Sequence, residues 1–232
     1  MELKVDRVTK QYKNKIAVDR LTFSLEAGVT GLLGANGAGK TTLMRMICGI
    51  LTPTGGDITY DGISVSEESY RDVLGYLPQD FGYYPEFSGW DFLMYFSALK
   101  GLSKADAKVR TKELLELVGL SDVAKKKIKT YSGGMKQRLG IAQAIINRPE
   151  VLILDEPTAG LDPKERVRFR NLIDDIGKKS IVLFSTHIVS DIEHIANRVM
   201  MMKSGQIIWQ GKWSEQDGSL EDFYMKEFGE NS

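Results

Sequence analysis

Polar and apolar positions alternate near the start of the chain. In LTFSL, Leu21, Phe23 and Leu25 share one face, which predicts a strand of an antiparallel sheet with one wet side. Further on, ITYDGISV carries a turn-forming Asp-Gly between two β-prone runs. Four later segments behave differently. VTGLL, VLGYL, VLILD and IVLFS are predominantly apolar without alternation, as strands buried on both faces of a parallel sheet are, and helix-like stretches separate them. Between about residues 86 and 147 the pattern becomes helical, and KADAKVRTKELLELVGL sets Val109, Leu114, Leu117 and Val118 at helical spacing before a glycine stop. The expected fold is α/β: a core with a parallel sheet, an antiparallel β subdomain at the N-terminus, and a helical subdomain inserted at about 86–147. With no repeat and no Pro/Ser-rich linker, residues 1–232 are expected to form one domain.

Composition removes several function classes. The 232 residues, 42% of them hydrophobic, suffice for a real core, and 31 basic residues balance 31 acidic ones. No overall field therefore favours nucleic acid or an anionic membrane, and no nucleic-acid partner is expected. The single cysteine, Cys48, has no intrachain partner and falls on the apolar face of a predicted helix, which fits a reducing compartment. MELKVDRVTK lacks an apolar signal region, and the longest apolar runs are strand-sized, so the chain is not expected to cross a bilayer.

Against this plain background two motifs carry chemistry. GANGAGKT, Gly34 to Thr41, lies between the strand VTGLL and the helical TTLMRMICGI, where a phosphate loop belongs. Its glycines allow backbone N–H groups to wrap phosphates, Lys40 reaches toward the β and γ oxygens, and Thr41 offers a hydroxyl to Mg²⁺. VLILDEP then ends an apolar strand in two carboxylates. Adjacent strand residues point to opposite faces, so Asp155 and Glu156 should have different tasks: Asp155 in the magnesium shell, Glu156 polarising a water for attack on the γ-phosphate. An acidic helix cap is the alternative for this pair. His187, in STHIVSD, follows the strand IVLFS at the end of the sheet where open parallel sheets place their ligands.

Taken in order, these motifs resemble those of the ATP-binding subunits of ABC transporters, and the resemblance runs over nearly the whole chain. GANGAGKT resembles the Walker A motif, VLILDE the Walker B, Gln79 the Q-loop glutamine, AGLD ending in Asp162 the D-loop, and His187 the switch histidine. The resemblance implies an ATPase of P-loop NTPase fold using ATP and Mg²⁺. ATP would be held by Tyr12, stacked on adenine, with Gly34, Asn36, Gly37, Ala38, Gly39, Lys40, Thr41 and Thr42. Gln79 and His187 would assist Glu156 in catalysis, and Thr41, Gln79 and Asp155 would surround the magnesium.

YSGGMKQR, Tyr131 to Arg138, is similar to the family's signature motif. It implies a homodimer, or a heterodimer with a second such subunit, in which Ser132, Gly133 and Gly134 of one chain meet the ATP held by the other. Tyr131 and Met135 depart from the common Leu and Gln of the motif, and the form with Tyr and Met is similar to ATPases of exporters for drugs, lantibiotic-like peptides or polysaccharides. The stretch from Asp80 to Phe96 holds eight aromatic residues in seventeen, against 9% for the chain. The resemblance makes residues 80–96 the docking groove for a separate transmembrane permease subunit, with the chain peripheral on the cytoplasmic face of the membrane. KKKIK, Lys125 to Lys129, reads as a solvated face. A soluble ABC ATPase acting on ribosomes or nucleic acid is the alternative function.

Overall fold

The computed structural model describes residues 1–213 and 218–228 and divides the strands between two sheets. Strands β1 (Glu2–Tyr12), β2 (Lys15–Glu26), β4 (Gly55–Tyr60) and β5 (Ile63–Ser64) form a four-stranded antiparallel sheet in the order β2-β1-β4-β5. In β2 the predicted alternation holds, because Leu21, Phe23 and Leu25 are buried while Thr22 and Ser24 are exposed. Asp61 and Gly62 join β4 to β5 with φ of 45° and 83°. Positive φ at both turn positions matches the right-handed twist of the paired strands, which explains an Asp-Gly there.

The second sheet contains β3 (Gly28–Leu33), β6 (Leu74–Leu77), β7 (Val151–Asp155), β8 (Ile181–Thr186), β9 (Arg198–Lys203) and β10 (Gln206–Lys212), in the order β10-β9-β3-β8-β7-β6. All its pairings are parallel except the β9–β10 hairpin. Both faces are covered. Along β7, Val151 and Ile153 face the antiparallel sheet and helix α1 (Lys40–Ile47), whereas Leu152 and Leu154 face the opposite layer of helices. A side chain of this size contributes about 1.5–3 kcal/mol on full burial, so five consecutive buried residues make β7 a rigid post for its C-terminal end.

The short α2 (Tyr70–Val73) leads into β6, between β6 and β7 run α3 (Gly89–Leu99), α4 (Lys104–Leu117), two short 3-10 turns and α5 (Gly133–Ala144), and α6 (Pro163–Gly177) follows β7. Each of the four helices from α3 to α6 starts with a side-chain cap. Ser88, Ser103, Ser132 and Asp162 accept from the N–H three residues on, and at Asp162 a returning Glu165 completes a capping box. The expected apolar stripe on α4 needs correction. Leu114 and Val118 are buried, but Val109 and Leu117 face solvent, and the inner face is Ala107, Thr111, Leu114, Leu115 and Val118. A small alanine and a threonine complete this buried face, and a reading by large apolar residues passes over both.

Candidate functional site

The loop from Gly34 to Gly39 leaves the C-terminal end of β3 and turns into α1. Backbone freedom is required at its end: Gly39 has φ of 109°, and a Cβ there would lie 2.3 Å from the Ala17 carbonyl. Helix α1 has no side-chain cap, so its first N–H groups are left to another acceptor. The Lys40 ammonium folds back and donates to Gly34 O at 2.5 Å and Ala35 O at 3.3 Å. Burial pushes its pKa below the usual lysine value, against the attraction of Glu156 and Asp155.

These groups line a cavity of about 470 Å³. Its wall brings together Tyr12, Asn36, Gly37, Ala38, Gly39, Lys40, Thr41, Thr42, Gln79 and Glu156, which come from four separate parts of the sequence. Lys15 and Ala17, which the sequence reading passed over, extend the wall beside Tyr12. Gly34 stands behind the loop, where its carbonyl holds Lys40. Tyr12 is exposed at the end of β1, and Gln79 is exposed just beyond β6.

The two carboxylates have different settings, but not by the expected strand alternation, because β7 ends at Asp155 and Glu156 lies just past it. Asp155 Oδ1 accepts from the Ser185 hydroxyl at 2.5 Å, while its Oδ2 is buried without a hydrogen-bond partner. A buried, unsatisfied carboxylate oxygen fits a divalent cation, and among the described residues no cluster of three or more His, Cys, Asp or Glu would hold one alone. Magnesium is commonly bound through one or two carboxylates plus phosphate oxygens, so Asp155 with the Thr41 hydroxyl is a fitting donor set. Glu156 takes a positive φ of 53°, uncommon outside glycine. Its N–H donates to Ser185 Oγ at 3.0 Å, its carboxylate meets His187 Nδ1 at 2.9 Å, and Lys40 Nζ lies 3.9 Å from its other oxygen. His187 itself is half exposed, open to an incoming group.

Ser132, Gly133 and Gly134 do not line this cavity. Ser132 and Gly133 are exposed, and Gly133 has open space around its Cα, but Gly134 is buried against Glu165 and the Gly160 carbonyl. Asp162 is committed to its helix cap. Tyr131 is buried and donates to Val123 O at 2.8 Å, and Met135 packs on the helical core, so both departures from the common motif point inward. Sequence reasoning stopped at Gly134 and missed Gln137, which donates to the carbonyls of Glu156 at 3.3 Å and Pro157 at 3.0 Å. It also missed Arg138, which binds the carbonyls of Val118 and Gly119 and pairs with Glu165 at 2.9 Å. The available signal was their spacing, one turn beyond the two glycines on the same helix.

The aromatic stretch is partly core. Phe92 is buried, Phe81, Tyr83, Phe87, Trp90 and Phe96 are half-buried on the core, and Tyr84 and Tyr95 are exposed with ring centroids 5.7 Å apart. Lys136, on α5, sits 4.6 Å from the Tyr83 ring centroid. Of the lysine run, Lys127 and Lys129 each pair with Glu86 at 2.8 Å, and these two ammonium groups lower the Glu86 carboxyl to a pKa of about 2.

Residues 18–159 match the protein-family model described as ABC transporter. The chain is 42% identical over 92% of its length to the uncharacterized ABC transporter ATP-binding protein YxlF of Bacillus subtilis, covering 72% of that protein. It is 36% identical over 89% of its length to the linearmycin resistance ATP-binding protein LnrL of the same organism, covering 68% of that one. A solved ATP-binding subunit of an ABC transporter superposes with a TM-score of 0.88 at 26% identity, covering 97% of this chain and 99% of the other.

Proposed function

This chain belongs to the ABC transporter family as an ATP-binding subunit, and from that premise we propose that it is the ATPase of an exporter, driving a separate permease by ATP-dependent dimerisation. The observation that carries the reading is the cavity where a buried Lys40, the capless start of α1 and Glu156 meet. ATP would place its adenine near Tyr12 and its phosphates against the N–H groups of Gly37 to Thr42. Mg²⁺, bound by Thr41, Gln79 and Asp155, would neutralise charge on the phosphate oxygens.

Glu156 is the base. It accepts a proton from a water whose oxygen bonds to the γ-phosphorus as the bond to the ADP oxygen breaks. His187 holds the Glu156 carboxylate at 2.9 Å, and Gln79 lines the same cavity as Lys40. The second chain enters through the signature turn. Its exposed Ser132 and Gly133 lie off the cavity of their own chain, which leaves them free to close over ATP held by a partner.

We place the permease at the exposed edge of the 80–96 stretch, centred on Tyr84 and Tyr95 rather than on the half-buried Tyr83 and Phe87. Motion there would reach the signature helix through Tyr83 and Lys136. Among the described residues no helix is long and apolar enough to cross a membrane, so a permease would supply the pathway. Export is favoured by the Tyr-Met form of the signature and by the resistance function in the name of LnrL.

Glu156→Gln tests the reading. Binding of ATP should persist while steady-state turnover falls by at least the roughly hundredfold typical of acid–base catalysis. A variant that keeps most of the rate would overturn the base assignment. Recovery of a polytopic membrane protein with the subunit from detergent extracts supports the transport reading, and recovery with ribosomes or nucleic acid opposes it.

A further inference from the structure

Gln137 is the one side chain of the signature helix whose hydrogen bonds reach the catalytic turn. Glu156 depends on its surroundings for its conformation, because its φ of 53° is one that a residue with a side chain seldom adopts. Ser185 Oγ receives its N–H, and on the carbonyl side Gln137 Nε2 donates to both Glu156 O and Pro157 O, with the Ala159 N–H adding a 3.3 Å bond to Glu156 O. Both Glu156 and Pro157 are buried, so these carbonyls have little water to replace the amide.

Gln137 also stands little more than one turn from Ser132, and α5 is clamped at the same level by Arg138, which ties it to Glu165 and the end of α4. The position of α5 is therefore transmitted to the Glu156 main chain through a single amide.

Resting on the assignment of Glu156 as base and of Ser132 to the partner's nucleotide, we infer that Gln137 is a positioning residue. It fixes the Glu156 turn to the signature helix, so the base of one ATP site is set by the helix that closes over the other. Removing the amide donor leaves the phosphate loop unaltered and lets the base turn relax from its productive placement.

Gln137→Met in the full chain removes the donor at nearly constant length and helix propensity. Turnover should fall about tenfold, the consequence of losing two modest hydrogen bonds at the reacting group, while the ATP concentration giving half-maximal rate changes by less than about twofold. Gln137→Lys, which restores an N–H donor of similar reach, should recover at least about half the rate. Combined with Glu156→Gln, Gln137→Met should cause no further loss of turnover and leave ATP-driven dimerisation within about twofold of the Glu156→Gln parent.

Three results overturn the inference: a Gln137→Met rate within twofold of the parent chain, loss of dimerisation in the combined variant, or loss of ATP binding and turnover by the same factor. The second would assign Gln137 to the signature contact, and the third would make it a structural residue. A Glu156→Gln chain that retains turnover is a separate failure, one of the base assignment itself, and is read before Gln137 is altered.

Discussion

The phosphate loop and the signature turn look alike in sequence, each a glycine-rich run opening a helix, yet the fold equips them in opposite ways. The helix after the phosphate loop begins at Gly39 with no side-chain cap, and a buried ammonium and a cavity stand before it. The signature helix begins at Ser132, which already caps it, and Ser132 and Gly133 are exposed with no part in the cavity. Under the proposed function the first would grip the phosphates of ATP bound to its own chain, and the second would meet a nucleotide brought to it. The two glycine-rich turns would then be parts of one composite site, supplied by two chains.

The sharpest way to break this contrast is to remove the cation from one side only. Lys40→Ala should weaken ATP binding by about a hundredfold, since charge-assisted hydrogen bonds contribute roughly 1.5–3 kcal/mol each, and equilibrium titration with a fluorescent ATP analogue would measure it. In the wild type, affinity should also decline with rising pH earlier than an ordinary lysine would produce. Burial lowers the Lys40 pKa, so above that value a proton must be taken up before phosphate is gripped.

Ser132→Arg is the counterpart on the other side. Single chains should bind ATP within about twofold of wild type, but in a Glu156→Gln background their ATP-driven dimerisation should drop by about tenfold or more, seen by gel filtration. Mixing this variant with Lys40→Ala should restore part of the dimer, because one of the two composite sites then has both of its intact halves. No recovery at any ratio, with both chains folded, would place signature and loop on the same nucleotide.

A smaller difference separates the two signature glycines. An alanine Cβ at Gly134 would come within 2.8 Å of Glu165 Oε2, so Gly134→Ala should lower stability by about 1–2 kcal/mol in urea titrations. Gly133→Ala meets nothing within 4 Å and should be neutral or slightly stabilising in the same assay, while still impairing dimerisation. Tyr131→Phe should have the mildest effect. Loss of its hydrogen bond to Val123 O costs about 1 kcal/mol, with ATP binding unchanged, as the measured unfolding midpoint and titration would show.

Much of the fold and part of the candidate site were legible because they follow from short-range rules. VLIL and IVLF are apolar at every position, and all their residues are buried in the sheet. GANGAGKT announced its loop because a tight turn that presents N–H groups needs glycines at particular places. Asp155 and Glu156 were legible as a pair, but their different settings arise because Glu156 lies past the end of β7 at a φ of 53°, not from strand alternation. Other features were obscured by equally physical causes. On α4, size misled: Val109 and Leu117 are apolar yet lie outside, while Thr111 is polar and lies inside. In the aromatic stretch, composition could not tell the buried Phe92 from the exposed Tyr84 eight positions earlier. Tyr131 read as an unexplained departure because its acceptor, Val123 O, sits on a turn whose position no local pattern encodes.

By itself the amino-acid sequence determined the two-sheet α/β organisation, the phosphate loop, the paired carboxylates and the family, since these depend on residue types a few positions apart. Only the tertiary structure decided which distant groups meet. Ser185 reaches Asp155 and the Glu156 N–H because β7 and β8 are parallel neighbours in register, and Tyr12 shares a cavity with Gln79 because the two sheets pack across α1. Gln137 meets the Glu156 carbonyl from nineteen residues away. Such contacts are products of chain topology and close packing, where one polar side chain finds its acceptor only after the intervening elements have been placed.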